Sequence, residues 1–234
     1  MSARDGHLWL LPEAAAEAFA ARHGGPALLG PEERTRLARL RGEGARRRFL
    51  GGRVLARYAL SARSGRPLGG WRVRTAPDGR PEPEPSADGL RFNLSHTDGM
   101  VACLVTSGRG CGVDVEPAAA GADAVRHLPR WFAAAERAAV DAAPAADRPA
   151  RVAAYWVLKE AYLKAVGTGL RRELAGFSFT PPQSRPIRVT DPARPAAENA
   201  AWHFELLHPA PGLVLAAAVQ DGRGGRIHRT LIAP

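Results

Sequence analysis

The chain is poor in cysteine, in aromatic residues and in long apolar runs. Its two cysteines, Cys103 and Cys111, lie in apolar strand-like segments without CxxC spacing or a nearby His, so we interpret them as reduced core thiols. Aromatic residues make up only 6% of the chain, which argues against a stacking platform for single-stranded nucleic acid. No apolar run approaches the roughly 20 residues of a membrane helix, and Arg4, Asp5 and Glu13 flank the short patch HLWLL, unlike a signal peptide. The sequence therefore predicts a cytoplasmic protein.

Positive charge is abundant. Lys and Arg number 33 against 23 for Asp and Glu, which gives a formal net charge of +10, and 45% of the 234 residues are hydrophobic. A chain of this length and apolar content can fold as one large domain or two small ones. The charge predicts a surface that attracts anions such as nucleic acid, phosphate-rich ligands or acidic proteins, and it does not choose among them.

Turn and periodicity signals divide the chain near residues 108–110. Before this point they predict helices that start at Pro31 and break at residues 41–44, and then two strands, LRFNLSH and MVACLVTS, joined by the turn 97–99. A third strand, CGVDVE, follows the break. Helices near residues 133–142 and 147–166 come next, then short strands, and we expect a loosely ordered tail after residue 220. We predict halves at 1–109 and 110–234, with no visible internal repeat.

The segment WVLKEAYLKA, residues 156–165, places charge on a helix face that should be buried. At roughly 100° per residue, Lys159 lies in the middle of the apolar arc, while Glu160 and Lys164 lie at its edge. A surface pair between Glu160 and Lys164 would be an ordinary i, i+4 contact. It would leave Lys159 unexplained, since a buried charge needs a partner, a metal or a charged ligand.

Two acids in the third strand, Asp114 and Glu116, alternate with Val113 and Val115. Successive side chains of a strand point to opposite faces, so the acids share one face with Cα atoms about 6.6 Å apart. A solvent-facing strand with a screened pair is one interpretation. Together with Glu160, however, they form a set of hard oxygen ligands that suits Mg²⁺ and phosphoryl transfer, and Lys164 could hold a phosphate oxygen.

Ser95 and His96 are adjacent in FNLSHTDG. Neighbouring side chains of a strand point oppositely, and no GxSxG motif is present, so we reject a Ser/His hydrolase. A better use is as hydrogen-bond donors to phosphate, although His96 could equally be a structural histidine at a turn.

The motifs FNLSH, GVDVE and WVLKEAYLKAVGTGL, in this order and spacing, closely resemble those of the 4′-phosphopantetheinyl transferases of the Sfp type. Weaker similarity covers PEERTRLARL and the following helix, RTAPDGRP and RWFAAAE, so the resemblance runs from about residue 31 to residue 179. It implies an α+β fold with two similar α/β halves related by pseudo-twofold symmetry. It also implies transfer of phosphopantetheine from coenzyme A to a serine of an acidic apo carrier protein, with release of 3′,5′-ADP, by a monomer.

The resemblance also implies residue roles. Asp114, Glu116 and Glu160 would hold Mg²⁺, or Mn²⁺ in its place, and Glu160 would be the candidate base. Lys164 would contact the phosphates of coenzyme A, and Lys159 would support the acidic cluster. The remaining coenzyme-binding positions would be Ser95, His96, Asp114, Arg36, Arg47, Arg74 and Arg80. Because Arg46, Arg47 and Arg48 are consecutive, the sequence does not settle which of them contacts coenzyme A.

Two rival functions remain open from the residues alone. One is a basic nucleic-acid-binding module, which would show steep salt dependence. The other is a Mg²⁺-dependent nucleotide phosphohydrolase, which the acids alone would permit. We expect a transferase with coenzyme A and a carrier protein as partners, without nucleic acid or membrane.

Overall fold

The computed structural model describes residues 5–76, 81–84, 89–220 and 226–233. The chain forms two compact units. Unit 1 comprises residues 1–109 and 226–234, and unit 2 comprises residues 110–225.

The secondary structure mixes strands and helices in both units. The strands are β1 (Gly6–Pro12), β2 (Arg72–Thr75), β3 (Pro81–Glu84), β4 (Leu90–Thr97), β5 (Met100–Ser107), β6 (Cys111–Pro117), β7 (Ser178–Phe179), β8 (Val189–Thr190), β9 (Trp202–Leu207), β10 (Leu213–Gln220) and β11 (Ile227–Leu231). The α-helices are α1 (Glu13–Arg22), α2 (Pro31–Arg39), α3 (Glu43–Ser64), α4 (Ala122–His127), α5 (Ala134–Asp141), α6 (Arg148–Val166) and α7 (Ala196–Ala200).

Unit 1 is built on a four-stranded sheet in the order β11-β1-β5-β4. β11 pairs in parallel with β1, and the other pairs are antiparallel. Helices α1 and α3 pack with this sheet around a core that includes Trp9, Phe19, Leu55 and Phe92. The β4–β5 hairpin turns at Asp98 and Gly99, and Gly99 adopts a φ of 91°, which glycine tolerates without steric cost.

Unit 2 is built on the antiparallel sheet β6-β10-β9, with the long helix α6 packed on β6 and β10. α6 buries one apolar face, including Tyr155, Leu158 and Tyr162. It ends at Gly167, whose φ of 78° gives the left-handed conformation that terminates many helices. Helix α6 therefore lies directly over the strand that carries Asp114.

The two units share a local arrangement that the sequence does not reveal. Glu33, near the start of α2, and Glu136, near the start of α5, each accept a 2.9 Å hydrogen bond from the backbone N–H three residues earlier. Each also pairs with a buried cation on the long helix that follows, Arg57 at 2.6 Å and Lys159 at 2.8 Å. Each glutamate thus fixes the start of its own helix and ties it to the next one.

The predicted α+β class is confirmed, and so are the break in the first helical region and the hairpin. Cys103 and Cys111 are buried, and within the described residues neither forms a disulfide, as predicted. The symmetry that would relate the two halves stays a prediction. Within the described ranges, no helix is both long and apolar enough to cross a membrane.

The C-terminal tail differs from the prediction. We placed residues 110–234 together and expected a loose tail, but β11 belongs to the sheet of unit 1. The physical reason is backbone pairing: Gly6 donates to the carbonyl of Arg226 at 2.9 Å, and Ile232 donates to Leu10 at 2.8 Å. Ile227 is also buried there.

Candidate active site

A close approach of α6 to β6 creates the site in unit 2. At Gly112 a Cβ atom would lie 2.0 Å from the carbonyl oxygen of Ala161 and 2.6 Å from the backbone nitrogen of Ala165. Only glycine fits at such a contact. Because Gly112 and Asp114 are two residues apart on the strand, they lie on the same face, and Asp114 is placed under the helix.

Asp114 is 4% exposed and pairs with Lys164 of α6. The Nζ atom of Lys164 lies 2.6 Å from Asp114 Oδ1 and also donates to the carbonyl of Val113 at 3.2 Å. The solvent-facing interpretation of this strand is therefore wrong for Asp114. The Lys164 side chain is half-buried, so one side of the ion pair remains accessible.

Glu160 lies one turn before Lys164 on the same helix. Burial raises the pKa of its carboxyl, the negative charge of Asp114 raises it further, Lys164 lowers it, and Glu116 adds to the rise. Its Oε1 atom is buried and makes no hydrogen bond within the described ranges. Asp114, Glu116 and Lys164 thus each act electrostatically on Glu160, and the two acids oppose the lysine.

In the part of the chain that the structure describes, no three His, Cys, Asp or Glu side chains are gathered closely enough to hold a metal ion. The ammonium of Lys164 lies against Asp114 instead. The donors nevertheless suit a hard divalent cation, because they are carboxylates. One buried oxygen of Glu160 accepts no hydrogen bond from the described residues, and a cation would relieve the repulsion between Glu160 and its neighbouring acids. Binding an ion would require the side chains to rotate and Lys164 to move.

Lys159 does not contact these acids. It is fully buried, and its Nζ donates to Glu136 at 2.8 Å and to the carbonyls of Leu174 and Phe177 at 2.8 and 2.9 Å. An ammonium has three N–H groups, so these contacts use its full donor capacity. It also lies 4.2 Å from the centre of the Phe177 ring. The predicted support of the acidic cluster is replaced by a structural link between α6, α5 and the segment that follows α6.

Glu136 is a buried acid for which the sequence predicted no role. It is fully buried, and its two oxygens accept from the backbone of Ala133 and Phe179 while it pairs with Lys159. Its position three residues after a helix cap was the signal that could have identified it.

In unit 1, Arg48 is the arginine of the 46–48 run that reaches the β4–β5 turn. Its Nη1 lies 2.5 Å from Asp98 and 2.9 Å from Glu13. Arg47 instead contacts Glu13 and Glu43 at 3.4 and 3.7 Å. The structure therefore brings Arg48, rather than the predicted Arg47, next to the turn that follows His96.

Arg46 and Arg47 line a separate cleft of about 350 Å³, together with Glu43, Leu37 and Leu50. This cleft has acids as well as cations on its walls, unlike a simple phosphate site. The ionic contacts of Arg47 are thus with Glu13 and Glu43, whereas Arg48 contacts Asp98 of the turn itself.

The other predicted coenzyme contacts have different settings. Arg36 is exposed and lies over the Phe49 ring at 5.5 Å from its centre. Arg74 is 55% exposed and pairs with Glu84 at 3.0 Å on the β2–β3 hairpin. Arg80 lies outside the described residues. Of this set, Arg36 is the one that contacts α3, through the ring of Phe49.

Ser95 is buried and His96 is exposed, on successive positions of β4. The two side chains therefore face opposite sides of the strand, as expected, and do not form a catalytic pair. His96 lies two residues before Asp98, the partner of Arg48.

Comparison with known proteins supports the family resemblance that the motifs indicate. The family model described as the 4′-phosphopantetheinyl transferase superfamily matches residues 110–218, the part of the chain that carries Asp114, Glu160 and Lys164. The chain is also 30% identical over 220 residues to 4′-phosphopantetheinyl transferase HetI of Nostoc sp., covering 91% of this chain and 86% of that protein. The chain belongs to the 4′-phosphopantetheinyl transferase superfamily. The enzyme class predicted from the sequence is thereby confirmed.

A second superfamily relative, a phosphopantetheinyl transferase of Thraustochytrium sp., is 30% identical over 207 residues, covering 77% of this chain and 70% of that protein. Among solved structures, a holo-[acyl-carrier-protein] synthase of Thermotoga maritima matches with a TM-score of 0.39 and 22% identity, over 49% of this chain and 64% of that one. A holo-(acyl-carrier-protein) synthase from Bacillus anthracis in complex with CoA (3′,5′-ADP) matches with a TM-score of 0.38 and 19% identity, over 48% of this chain and 95% of that one.

Proposed function

We propose that the chain transfers the 4′-phosphopantetheine group of coenzyme A to a serine of an apo carrier protein, with Mg²⁺, and releases 3′,5′-ADP. The observation that carries this proposal is the meeting of Asp114, Glu160 and Lys164 where α6 crosses β6. An excess of carboxylates, of which Asp114 is buried, beside one ammonium is suited to a cation and a diphosphate. The activity in the names of the two relatives, which cover most of the chain, is consistent with it.

Asp114, Glu116 and Glu160 would hold the divalent ion, as Mg²⁺ or Mn²⁺. When bound, such an ion neutralises charge that develops on a diphosphate. The side chains of Lys164 and Glu160 would carry out the remaining steps. Lys164, which is half-buried, would leave Asp114 for a phosphate oxygen of coenzyme A and stabilise the negative charge of the departing 3′,5′-ADP.

Glu160 would accept the proton of the incoming serine hydroxyl, directly or through water. The serine oxygen would form a bond to the phosphorus next to pantetheine while the bond from that phosphorus to the oxygen of 3′,5′-ADP breaks. Burial and the neighbouring acids raise the pKa of Glu160, and a base whose pKa lies closer to neutrality takes up a proton more readily.

Arg48 and Arg36, with His96 on the strand before the β4–β5 turn, would bind the adenosine end of coenzyme A. Arg48 replaces Arg47 in this role because it reaches the turn after His96. The net charge of +10 would also attract coenzyme A and an acidic carrier protein by long-range steering.

The test is the intact mass of an apo carrier protein after incubation with the chain, coenzyme A and Mg²⁺. We expect a gain of one phosphopantetheine, loss of the gain with a chelator, and its return with added Mg²⁺. Asp114→Ala and Glu160→Ala should abolish transfer in folded protein, while Asp123→Asn, at an exposed acid of α4, should not. Hydrolysis of coenzyme A without carrier modification would favour a phosphohydrolase, and tight, salt-sensitive binding of nucleic acid without transfer would favour a nucleic-acid-binding module.

A further inference from the structure

Glu13 connects three segments of unit 1. It is the first residue of α1, and its backbone N–H donates to the carbonyl of Gly99 at 3.0 Å. Its Oε2 accepts from the backbone N–H of Gly99 and from Nη1 of Arg48, both at 2.9 Å. Its Oε1 lies 3.4 Å from Nη2 of Arg47. One carboxylate thus fixes the β4–β5 turn and the second turn of α3 relative to each other.

This carboxylate is buried and charged. The Glu13 side chain is 11% exposed. Burial alone would raise its pKa, but the hydrogen bonds from Gly99 and Arg48 and the charges of the arginines outweigh that effect, so the pKa lies below the usual value of a glutamate. At neutral pH Glu13 is therefore ionised and forms an ion pair with the guanidinium of Arg48.

Arg48 lies between a buried acid and an exposed one. The same Nη1 atom that binds Glu13 lies 2.5 Å from Asp98, whose side chain is 90% exposed. In the described part of the chain, both ionic contacts of Arg48 use Nη1, which leaves Nε and Nη2 for an anion. An incoming phosphate can displace the exposed, solvent-screened Asp98 more easily than Glu13.

We propose that Glu13 is a positioning residue for coenzyme A, one that holds Arg48 beside the turn after His96 in the orientation that receives a phosphate. The inference rests on the proposed function. It assigns no contact between Glu13 and the ligand, since a carboxylate would repel a phosphate. The role is geometric: with Glu13 in place, the guanidinium of Arg48 has one preferred direction before the ligand arrives, so binding orders fewer side-chain rotamers.

Simple electrostatics predicts the opposite result. Removing either Glu13 or Asp98 makes the surroundings of Arg48 more positive, so both changes should tighten anion binding if charge alone matters. If Glu13 positions Arg48, its loss weakens binding, whereas the loss of Asp98 does not. Glu13 and Asp98 both contact Nη1 of Arg48. Substitutions of these two acids can therefore be compared directly.

The experiment measures binding of 3′,5′-ADP to the full chain by isothermal titration calorimetry, with wild type, Glu13→Gln, Asp98→Asn, Arg48→Gln and the Glu13→Gln/Arg48→Gln double variant. We expect Glu13→Gln to raise Kd about tenfold, equal to about 1.4 kcal/mol, and Asp98→Asn not to raise it. The double variant should bind like Arg48→Gln alone, because Glu13 acts through Arg48. In the transfer assay, Glu13→Gln should raise KM for coenzyme A and leave kcat near the wild-type value.

Several results would overturn the inference: unchanged or tighter binding by Glu13→Gln, equal weakening by Asp98→Asn, or a double variant clearly weaker than Arg48→Gln. If Glu13→Gln folds poorly, Gly44→Ala decides. A Cβ at Gly44 would lie 3.2 Å from both Glu13 Oε1 and Arg48 Nη1, while alanine favours the helix by about 0.5–1 kcal/mol. Weaker binding in a Gly44→Ala variant that unfolds at or above the wild-type midpoint supports the role, and wild-type affinity excludes it.

The two proposals fail in different ways. If the wild-type chain neither binds 3′,5′-ADP nor modifies a carrier protein, the proposed function is wrong. If the wild type does both and Glu13→Gln equals it in Kd and KM, only the positioning role of Glu13 is wrong.

Discussion

Replacing Lys159 by Met should cost folding stability rather than chemistry. The substitution keeps the length of the side chain but removes the ammonium, which has no exposed surface. Glu136 would keep its two backbone donors and lose its only buried counter-ion in the described part of the chain, and the carbonyls of Leu174 and Phe177 would lose their lysine donor.

The expected loss is large. Breaking a buried ion pair by removing one partner typically costs about 3–5 kcal/mol, a substantial part of the roughly 5–15 kcal/mol by which native proteins are stable. At about 2–4 °C per kcal/mol for a chain of this size, the melting temperature should fall by about 6 to 20 °C. Lys159→Met combined with Glu136→Gln removes both charges and should lose less than the two single changes together.

Thermal and urea unfolding followed by circular dichroism measure these effects, with Arg126→Met, at an exposed cation of α4, as the control. Transfer activity of Lys159→Met is measured well below its melting temperature. Wild-type stability combined with lost transfer would refute the reasoning and return Lys159 to a direct role in the reaction. Loss of stability with retained turnover would establish the structural link.

Other changes test the two units separately. Gly112→Ala should destabilise unit 2 strongly, because its Cβ would overlap backbone atoms of α6, whereas Gly176→Ala, also in unit 2 and with open space around it, should leave the unfolding midpoint unchanged. Glu160→Gln removes a charge that burial and Asp114 disfavour, so it should raise the urea midpoint at pH 7.5 and abolish stabilisation by Mg²⁺; a lower midpoint would contradict the predicted strain. Burial, with Arg63 and His228, lowers the pKa of His7 to about 4 from 6.5. The unfolded chain therefore binds this proton first, so stability should fall as pH drops from about 6.5 to about 4, and His7→Gln should flatten that part of the urea-midpoint profile.

Local patterns predicted much of unit 2. Helical periodicity and the glycines after Val166 located α6, and strict alternation placed Asp114 and Glu116 on one face of β6. These features depend on neighbours in the sequence, so the residues alone are sufficient. The burial of Lys159 also followed from the helical period.

Features set by distant segments could not be read in this way. The partner of Lys159 is Glu136, and nothing in the helix itself distinguishes that acid from those of β6. Consecutive arginines differ by about 100° around α3, and only the position of the β4–β5 turn decides that Arg48 faces Asp98. The parallel pairing of β1 with β11 joins residues more than 200 positions apart. No pattern within the first thirty residues therefore predicts this pairing or the contacts of Glu13.

The pairing of β11 with β1 affects how the chain is made. During synthesis β1 and β5 emerge first, and the outer edge of β1 stays uncovered until the whole of unit 2 has left the ribosome. An open strand edge is a template for association with other chains. A shortened version that stops at residue 225 would retain Asp114, Glu160 and Lys164 but leave that edge open permanently, so we expect it to aggregate rather than to lose its acidic cluster.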